Sequence, residues 1–200
     1  MAVCCPEYGL LFIGNMRTAS TAIEKALLEQ SGGYHLPAER MTIDGELVRR
    51  RHATLPQLIR HNLLDRPREG LHAFVVVRNP FDSLVSKWSK DRHRPNRQHT
   101  RTAMLQMDFD PWIREWTGKR TVDSLHDQFV EGTDEVLRFE ELPEALHSVL
   151  RNAGAPEIDF PVVNNTEERQ REYRAYYTDE TRAMVESVYG GDLERYGYAF

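Results

Sequence analysis

Cysteine is nearly absent from this chain: 200 residues hold two, Cys4 and Cys5, side by side. Adjacent cysteines rarely pair with each other, so a disulfide framework is excluded and a reducing, cytoplasmic setting is expected. The pair itself reads as part of a frayed N-terminus rather than as a redox or metal site. No apolar stretch approaches the ~20 residues a membrane helix needs, and no charged-then-apolar leader opens the chain. Neither a spanning segment nor a secretory signal is therefore expected. An excess of positive charge is missing too. Against 26 Lys and Arg stand 31 Asp and Glu, a net charge of −5, which argues against a general nucleic-acid binder. Two glycine signatures of nucleotide binding, GxxxxGK[ST] and GxGxxG, do not occur.

What is there is ordinary for a folded domain. Hydrophobic residues make up 40% and charged residues 28% of the chain. One domain over residues 1–200 is expected, large enough to bury about 70% of its unfolded surface. Three short apolar runs, Leu10–Ile13, Ala73–Val77 and Val136–Phe139, predict buried parallel strands. Helical patterns cover Ala19–Gln30, Pro56–Leu64, Phe81–Lys90 and Leu142–Asn152. A last helix begins at Thr178, a good N-cap, with Asp179 and Glu180 suiting the positive end of the helix dipole. Strands alternating with helices predict an α/β fold with a central, mostly parallel sheet. Trp88, Trp112 and Trp116 fall at helical spacing and read as core. The basic stretch Arg92–Gln106 reads as a loop or lid, which either attracts an anionic acceptor or is simply solvated.

The segment LLFIGNMRTAST, Leu10 to Thr21, predicts a strand, a polar turn and a helix start. Ligands of open α/β sheets bind beyond the carboxyl ends of strands, where this turn falls. The helix start offers unused N–H groups to an anion. Thr18, Ser20 and Thr21 add hydroxyls, and Arg17 adds a permanent charge whose forked donors match phosphate. A plain turn with a solvated arginine is the alternative. The second strand runs into Arg78-Asn79-Pro80-Phe81 and on to Ser86. An arginine closing a very apolar strand suggests a second anion site, shared with Ser86 two helical turns on; an arginine capping carbonyls is the alternative.

Two anion sites at neighbouring strand ends imply a ligand with two separated phosphates. Here the chain resembles the sulfotransferases that use 3′-phosphoadenosine 5′-phosphosulfate (PAPS), in their carbohydrate-type, family 2-like branch. Met16-Arg17-Thr18-Ala19-Ser20-Thr21 is similar to the loop that holds the 5′-phosphosulfate. Val77-Arg78-Asn79-Pro80-Phe81 through Ser86 is similar to the 3′-phosphate motif, with the arginine–serine spacing intact. Val136–Leu142 resembles the third strand segment, and Tyr176-Tyr177-Thr178 and Asp192–Tyr198 resemble the C-terminal ending of that branch. Two positions depart from the pattern. Arg17 stands where many members have lysine, and Ala19 stands where glycine is usual. If residue 19 requires positive φ, alanine strains it; if it is helical, alanine costs nothing.

The resemblance implies a P-loop-like three-layer fold and transfer of a sulfuryl group from PAPS to a hydroxyl or amine of a small molecule or carbohydrate, with no metal required. It implies that Arg17 faces the leaving phosphate, and that residues Thr18, Ala19, Ser20, Thr21 and Ala22 cradle the 5′-phosphate. Arg78 and Ser86 are implied to bind the 3′-phosphate, with Arg169 and Arg171 closing over it. A base must take the acceptor's proton. His52, between the two motifs, stands at a station similar to a histidine of that branch and has an unperturbed pKa suited to the task. His35, His61 and Glu46 are the other candidates, and Arg49, Arg50 and Arg51 either tune His52 or hold an anionic acceptor. No partner nucleic acid or membrane is expected, and the oligomeric state, a homodimer included, is left open. The rivals are a nucleotide or small-molecule kinase and a non-catalytic nucleotide-binding relative.

Overall fold

The computed structural model describes residues 2–50, 52–92, 107–121, 123–160 and 172–200. The stretches read above as a lid, and the positions Arg51, Arg169 and Arg171, lie wholly or largely outside them; Arg92 alone of the basic stretch is described, as the last residue of a helix. In chain order the strands are β1 Ala2–Cys5, β2 Leu10–Ile13, β3 Tyr34–Leu36, β4 Met41–Ile43, β5 Glu46–Val48, β6 His72–Val77 and β7 Glu135–Arg138. The helices are α1 Ser20–Gln30, α2 Leu55–Arg60, α3 Pro80–Arg92, α4 Phe109–Thr117, α5 Asp127–Val130, α6 Glu144–Asn152 and α7 Asp179–Arg195. The chain divides into two compact units, one of Met1–Val77 with His126–Val163, the other of Arg78–Leu125 with Asn164–Phe200.

The first unit is built on a five-stranded sheet of order β3-β1-β2-β6-β7. β2, β6 and β7 run parallel, while β1 is antiparallel to both β2 and β3. The sheet is thus mixed and mostly parallel, as expected. Because successive strand residues face opposite sides, each strand feeds two cores. Val3, Cys5, Leu10, Phe12, Phe74 and Val76 pack on one face with Ile23 and Leu27 of α1 and Leu146, Val149 and Leu150 of α6. Ala2, Cys4, Leu11, Ile13, Ala73 and Val75 pack on the other with Leu55 and Leu58 of α2 and Phe129 of α5. Sheet and two helical layers make the three-layer α/β architecture. Burial on both faces is also why these strands read as unbroken apolar runs rather than alternating ones.

Three expectations need correction, and one element went unread. The N-terminus is not frayed. Ala2–Cys5 is β1, hydrogen-bonded on both edges and completely buried, with Val3 and Cys5 in one core and Ala2 and Cys4 in the other. The third expected strand starts one residue early and is an edge. Among the described residues β7 pairs with β6 alone, so Leu137 is buried while Val136 remains 37% exposed, and Phe139 already begins a short 3-10 turn. The helix expected over Pro56–Leu64 stops at Arg60, because the chain turns left-handed at Asn62, φ 50°. Finally, β4 and β5 form a hairpin that strand-length apolar patterning did not show. Its turn is Asp44-Gly45, with φ of 50° and 79°. Two left-handed residues in succession are what a two-residue hairpin matched to strand twist requires.

The second unit is helical. Phe81, Leu84 and Val85 of α3, Phe109, Trp112 and Ile113 of α4, and Val185, Val188 and Tyr189 of α7 form its core. Trp112 is buried, and Trp88 and Trp116 pack against the same cluster, as their spacing suggested. The Trp116 indole N–H donates to the Tyr189 hydroxyl at 2.8 Å, which satisfies a polar edge inside an apolar layer. Thr178 caps α7 through a reciprocal pair with Thr181, as the sequence anticipated.

Candidate active site

The turn after β2 is braced from within. Asn15 is fully buried, and its side chain makes three contacts. Its Oδ1 accepts from the Met16 backbone N–H at 2.6 Å, and its Nδ2 donates to the Val76 carbonyl of β6 at 3.1 Å and lies 2.9 Å from His126 Nδ1. The Thr18 hydroxyl donates to the Asn15 carbonyl at 3.1 Å. That proton is engaged inside the loop, which leaves the Thr18 hydroxyl no proton of its own to offer outward. Asn15 and His126 were missed by sequence reasoning. Nothing in the local pattern around His126 signals its role, because its partner lies 111 residues away.

Arg17 and Ala19 both adopt left-handed backbone, φ 67° and φ 58°, on either side of Thr18. Residues of this conformation in close succession turn successive N–H groups into one concavity, the anion-binding nest of phosphate loops. Ala19 closes the loop as N-cap of α1, and its carbonyl accepts from Ala22 N–H at 2.8 Å and Ile23 N–H at 3.1 Å. Ala22's N–H is therefore used by the first turn, which leaves its assignment to ligand binding without a donor. Alanine stands at a position that requires positive φ, the strained one of the two cases its sequence left open. Ser20 is buried and Thr21 is exposed at the same helix start.

The base candidates separate by their partners. The Glu46 carboxylate accepts from Gln57 Nε2 at 2.8 Å, Arg60 at 3.0 Å and His61 Nε2 at 2.8 Å. Hydrogen bonds from Gln57, His61 and Arg60 hold its pKa down to about 2, so it is a weak proton acceptor near neutrality. His61 belongs to the same cluster. His35 on β3 pairs with Glu24 of α1 at 3.3 Å, and burial first, then Arg50 and the N-terminal charge, lower its pKa. His52 sits in the connection between β5 and α2 in left-handed backbone, φ 76°. Its ring meets Phe129 edge-on at 6.3 Å between centroids. Phe129 lies on α5, the single turn that begins after His126. The same turn thus touches both Asn15, the anchor of the turn after β2, and His52.

In the second unit, Arg78 follows directly on β6 and is 2% exposed. Its Nε and one terminal nitrogen both reach Asp82 Oδ2, at 2.8 and 2.5 Å. Asn79 caps α3, its Oδ1 accepting from Phe81 N–H at 3.0 Å, while its Nδ2 donates to the Ala199 carbonyl at 2.9 Å. Ser86 is buried about one helical turn beyond Asp82, and the buried Ser83 hydroxyl between them has no hydrogen-bond partner among the described residues. Around Phe81 stand Tyr173, Tyr177 and Phe200, all within 6.5 Å between ring centroids, and Tyr177 donates to the Phe81 carbonyl at 2.9 Å. The C-terminal aromatics thereby hold the start of α3. Arg92 pairs with Asp108 at 3.0 Å and lies over the Trp88 ring. Among the described residues, no group of three or more His, Cys, Asp or Glu side chains is placed to hold a metal ion. No helix among them is long and apolar enough to cross a membrane.

A three-layer α/β unit with a left-handed, arginine-bearing turn between its central strand and first helix defines a protein of the P-loop-like class. The model of the Sulfotransferase family matches residues 1–199, nearly the whole chain. The chain belongs to that family, in keeping with its family 2-like branch, and is a transferase by that membership. No curated protein and no solved structure matches it.

Proposed function

We propose that this sulfotransferase takes its sulfuryl group from PAPS and passes it to a hydroxyl or amine of a small-molecule or carbohydrate acceptor. The observation that carries the donor assignment is the left-handed pair Arg17 and Ala19, which shapes an anion cradle at the start of α1 with an arginine inside it. The residues present fit such a donor. The cradle suits a terminal phosphosulfate. A buried guanidinium at Arg78 and an unsatisfied buried hydroxyl at Ser83 suit a second anion, with Ser86 on the same helix. When bound, PAPS supplies an activated sulfur whose bridging oxygen leaves on phosphate.

Arg17 stabilises the charge that grows on that leaving oxygen, and the N–H groups of Thr18, Ser20 and Thr21 hold the 5′-phosphate. Arg78 and Ser86 hold the 3′-phosphate, and Arg169 and Arg171 are proposed to cover it. His52 takes the proton from the acceptor as the new S–O bond forms. The carboxylate alternative, Glu46, is disfavoured by its low pKa. Positioning and charge stabilisation supply most of the acceleration in such in-line group transfers. A cytoplasmic site of action accords with two free thiols. No observation favours the kinase reading.

Calorimetric titration with 3′-phosphoadenosine 5′-phosphate, against ADP and ATP with Mg²⁺, tests the donor. Selective binding of the 3′-phosphorylated nucleotide, weakened at least a hundredfold in Arg78→Ala, is expected from the loss of a buried charged contact. Equal binding of ADP removes the 3′-phosphate site, and preference for ATP removes the donor assignment.

A further inference from the structure

We propose that His126 is a positioning residue for the phosphate-binding turn, acting through Asn15 as a neutral imidazole that carries its proton on Nε2. The inference rests on the reading that this turn holds the donor's phosphosulfate. It begins from the orientation of one buried amide. Amide oxygen and nitrogen are assigned by their partners, and two of Asn15's partners have fixed roles. The Met16 backbone N–H can only donate, so the atom 2.6 Å from it is the amide oxygen. The Val76 carbonyl can only accept, so the atom 3.1 Å from it is the amide nitrogen. The third contact, 2.9 Å from Asn15 Nδ2 to His126 Nδ1, then has one solution: the nitrogen donates its second hydrogen and Nδ1 accepts. An imidazole that accepts at Nδ1 is neutral and protonated at Nε2.

The consequence reaches the site. Asn15 joins three pieces of backbone or side chain that the sequence separates widely. These are its own turn, the carboxyl end of β6 and the residue that opens α5. Its backbone carbonyl also receives the Thr18 hydroxyl, so a residue 15 held by its side chain sets where Thr18, and with it the left-handed residues Arg17 and Ala19, can lie. Both Asn15 and His126 are 1% exposed or less, so no water stands ready to replace either partner. His126 is itself fixed by the turn it opens, its carbonyl accepting from Phe129 N–H at 2.8 Å and Val130 N–H at 3.1 Å. The imidazole therefore acts as a rigid post, and Asn15 transmits its position to the loop.

The test uses the full chain and 3′-phosphoadenosine 5′-phosphate as probe. In the wild type, two-bond ¹H–¹⁵N spectra of the imidazoles are expected to show His126 with an unprotonated Nδ1 and a protonated Nε2. A proton on Nδ1 sinks the proposal without any substitution. His126→Leu fills the space but cannot accept, and leaves one buried amide hydrogen unpaired; probe binding is expected to weaken roughly tenfold. His126→Asn places a carbonyl oxygen close to where Nδ1 was and is expected to stay within about threefold of wild type. A leucine variant that binds as well as wild type, or an asparagine variant that falls as far as leucine, overturns the role. Adding Asn15→Ala to His126→Leu is expected to cost nothing beyond the weaker single variant, because both act through one contact; independent losses argue against it. Failure of the wild type to bind the probe at all is a different result, and removes the donor reading instead.

Discussion

Ala19 carries a cost that its neighbours impose. At φ 58° its Cβ crowds the backbone, where an L-residue loses about 1–2 kcal/mol. Glycine would avoid that loss but is itself more disordered when unfolded, by about 0.5–1 kcal/mol. Ala19→Gly is therefore expected to stabilise the protein by about 0.5–1 kcal/mol, read as a higher urea midpoint at unchanged slope. A lower midpoint contradicts the left-handed assignment. The residue letter could pose this question but not answer it, because alanine is the best residue for the first turn of a helix and a poor one for the turn before it.

At the scale of elements, the cluster on Glu46 ties β5 to α2. Gln57 serves twice, closing the cap on Thr54 and donating to Glu46. A carboxyl held at about 2, against an ordinary 4.5, stabilises the fold fully above 4.5 and loses that contribution as pH falls through about 2. Glu46→Gln is expected to lower stability at neutral pH and to flatten its dependence between about pH 4.5 and 2, measured as urea midpoints at a series of pH values. The same variant should keep most of its sulfuryl-transfer rate if His52 takes the proton. A collapse of turnover with the fold intact would transfer the base role to Glu46. The helix α2 was legible as a helical pattern over Pro56–Leu64, while its cap at Thr54 came only with the fold. The hairpin beside it was not, since three-residue strands are too short for alternation to register.

For the molecule as a whole, β1 lies within the sheet rather than at its edge, with β2 on one side and β3 on the other. Its two cysteines are consequently inert. Burial pushes the Cys4 thiol up to about 11 and the Cys5 thiol up to about 12. Because the thiolate is the reactive form, neither thiol is expected to label with a disulfide reagent at pH 8 in the native protein. Both should label at the rate of global unfolding, and shift together with urea concentration. A thiol that reacts in the first seconds, at full native signal, would show that β1 opens separately. Removing residues 1–5 is the cruder counterpart, and exposes one edge each of β2 and β3.

Much of this was written in local chemistry. Apolar runs buried on both faces, the helix cap at Thr178, and an arginine at the end of an apolar strand are properties of neighbouring residues, and neighbours suffice to reveal them. So the α/β class, the central strands and the two arginine motifs were determined by the sequence itself. The rest depended on pairings at a distance. Whether Ala2–Cys5 frays or sits between two strands depends on β2 and β3 offering open edges. Whether Glu46 can accept a proton depends on Gln57, Arg60 and His61 converging on it. That His126 meets the buried amide in the turn after β2 depends on Asn15, 111 residues earlier. Backbone hydrogen bonds, charge and burial decide these matters only once the chain has folded, because the groups involved meet nowhere else.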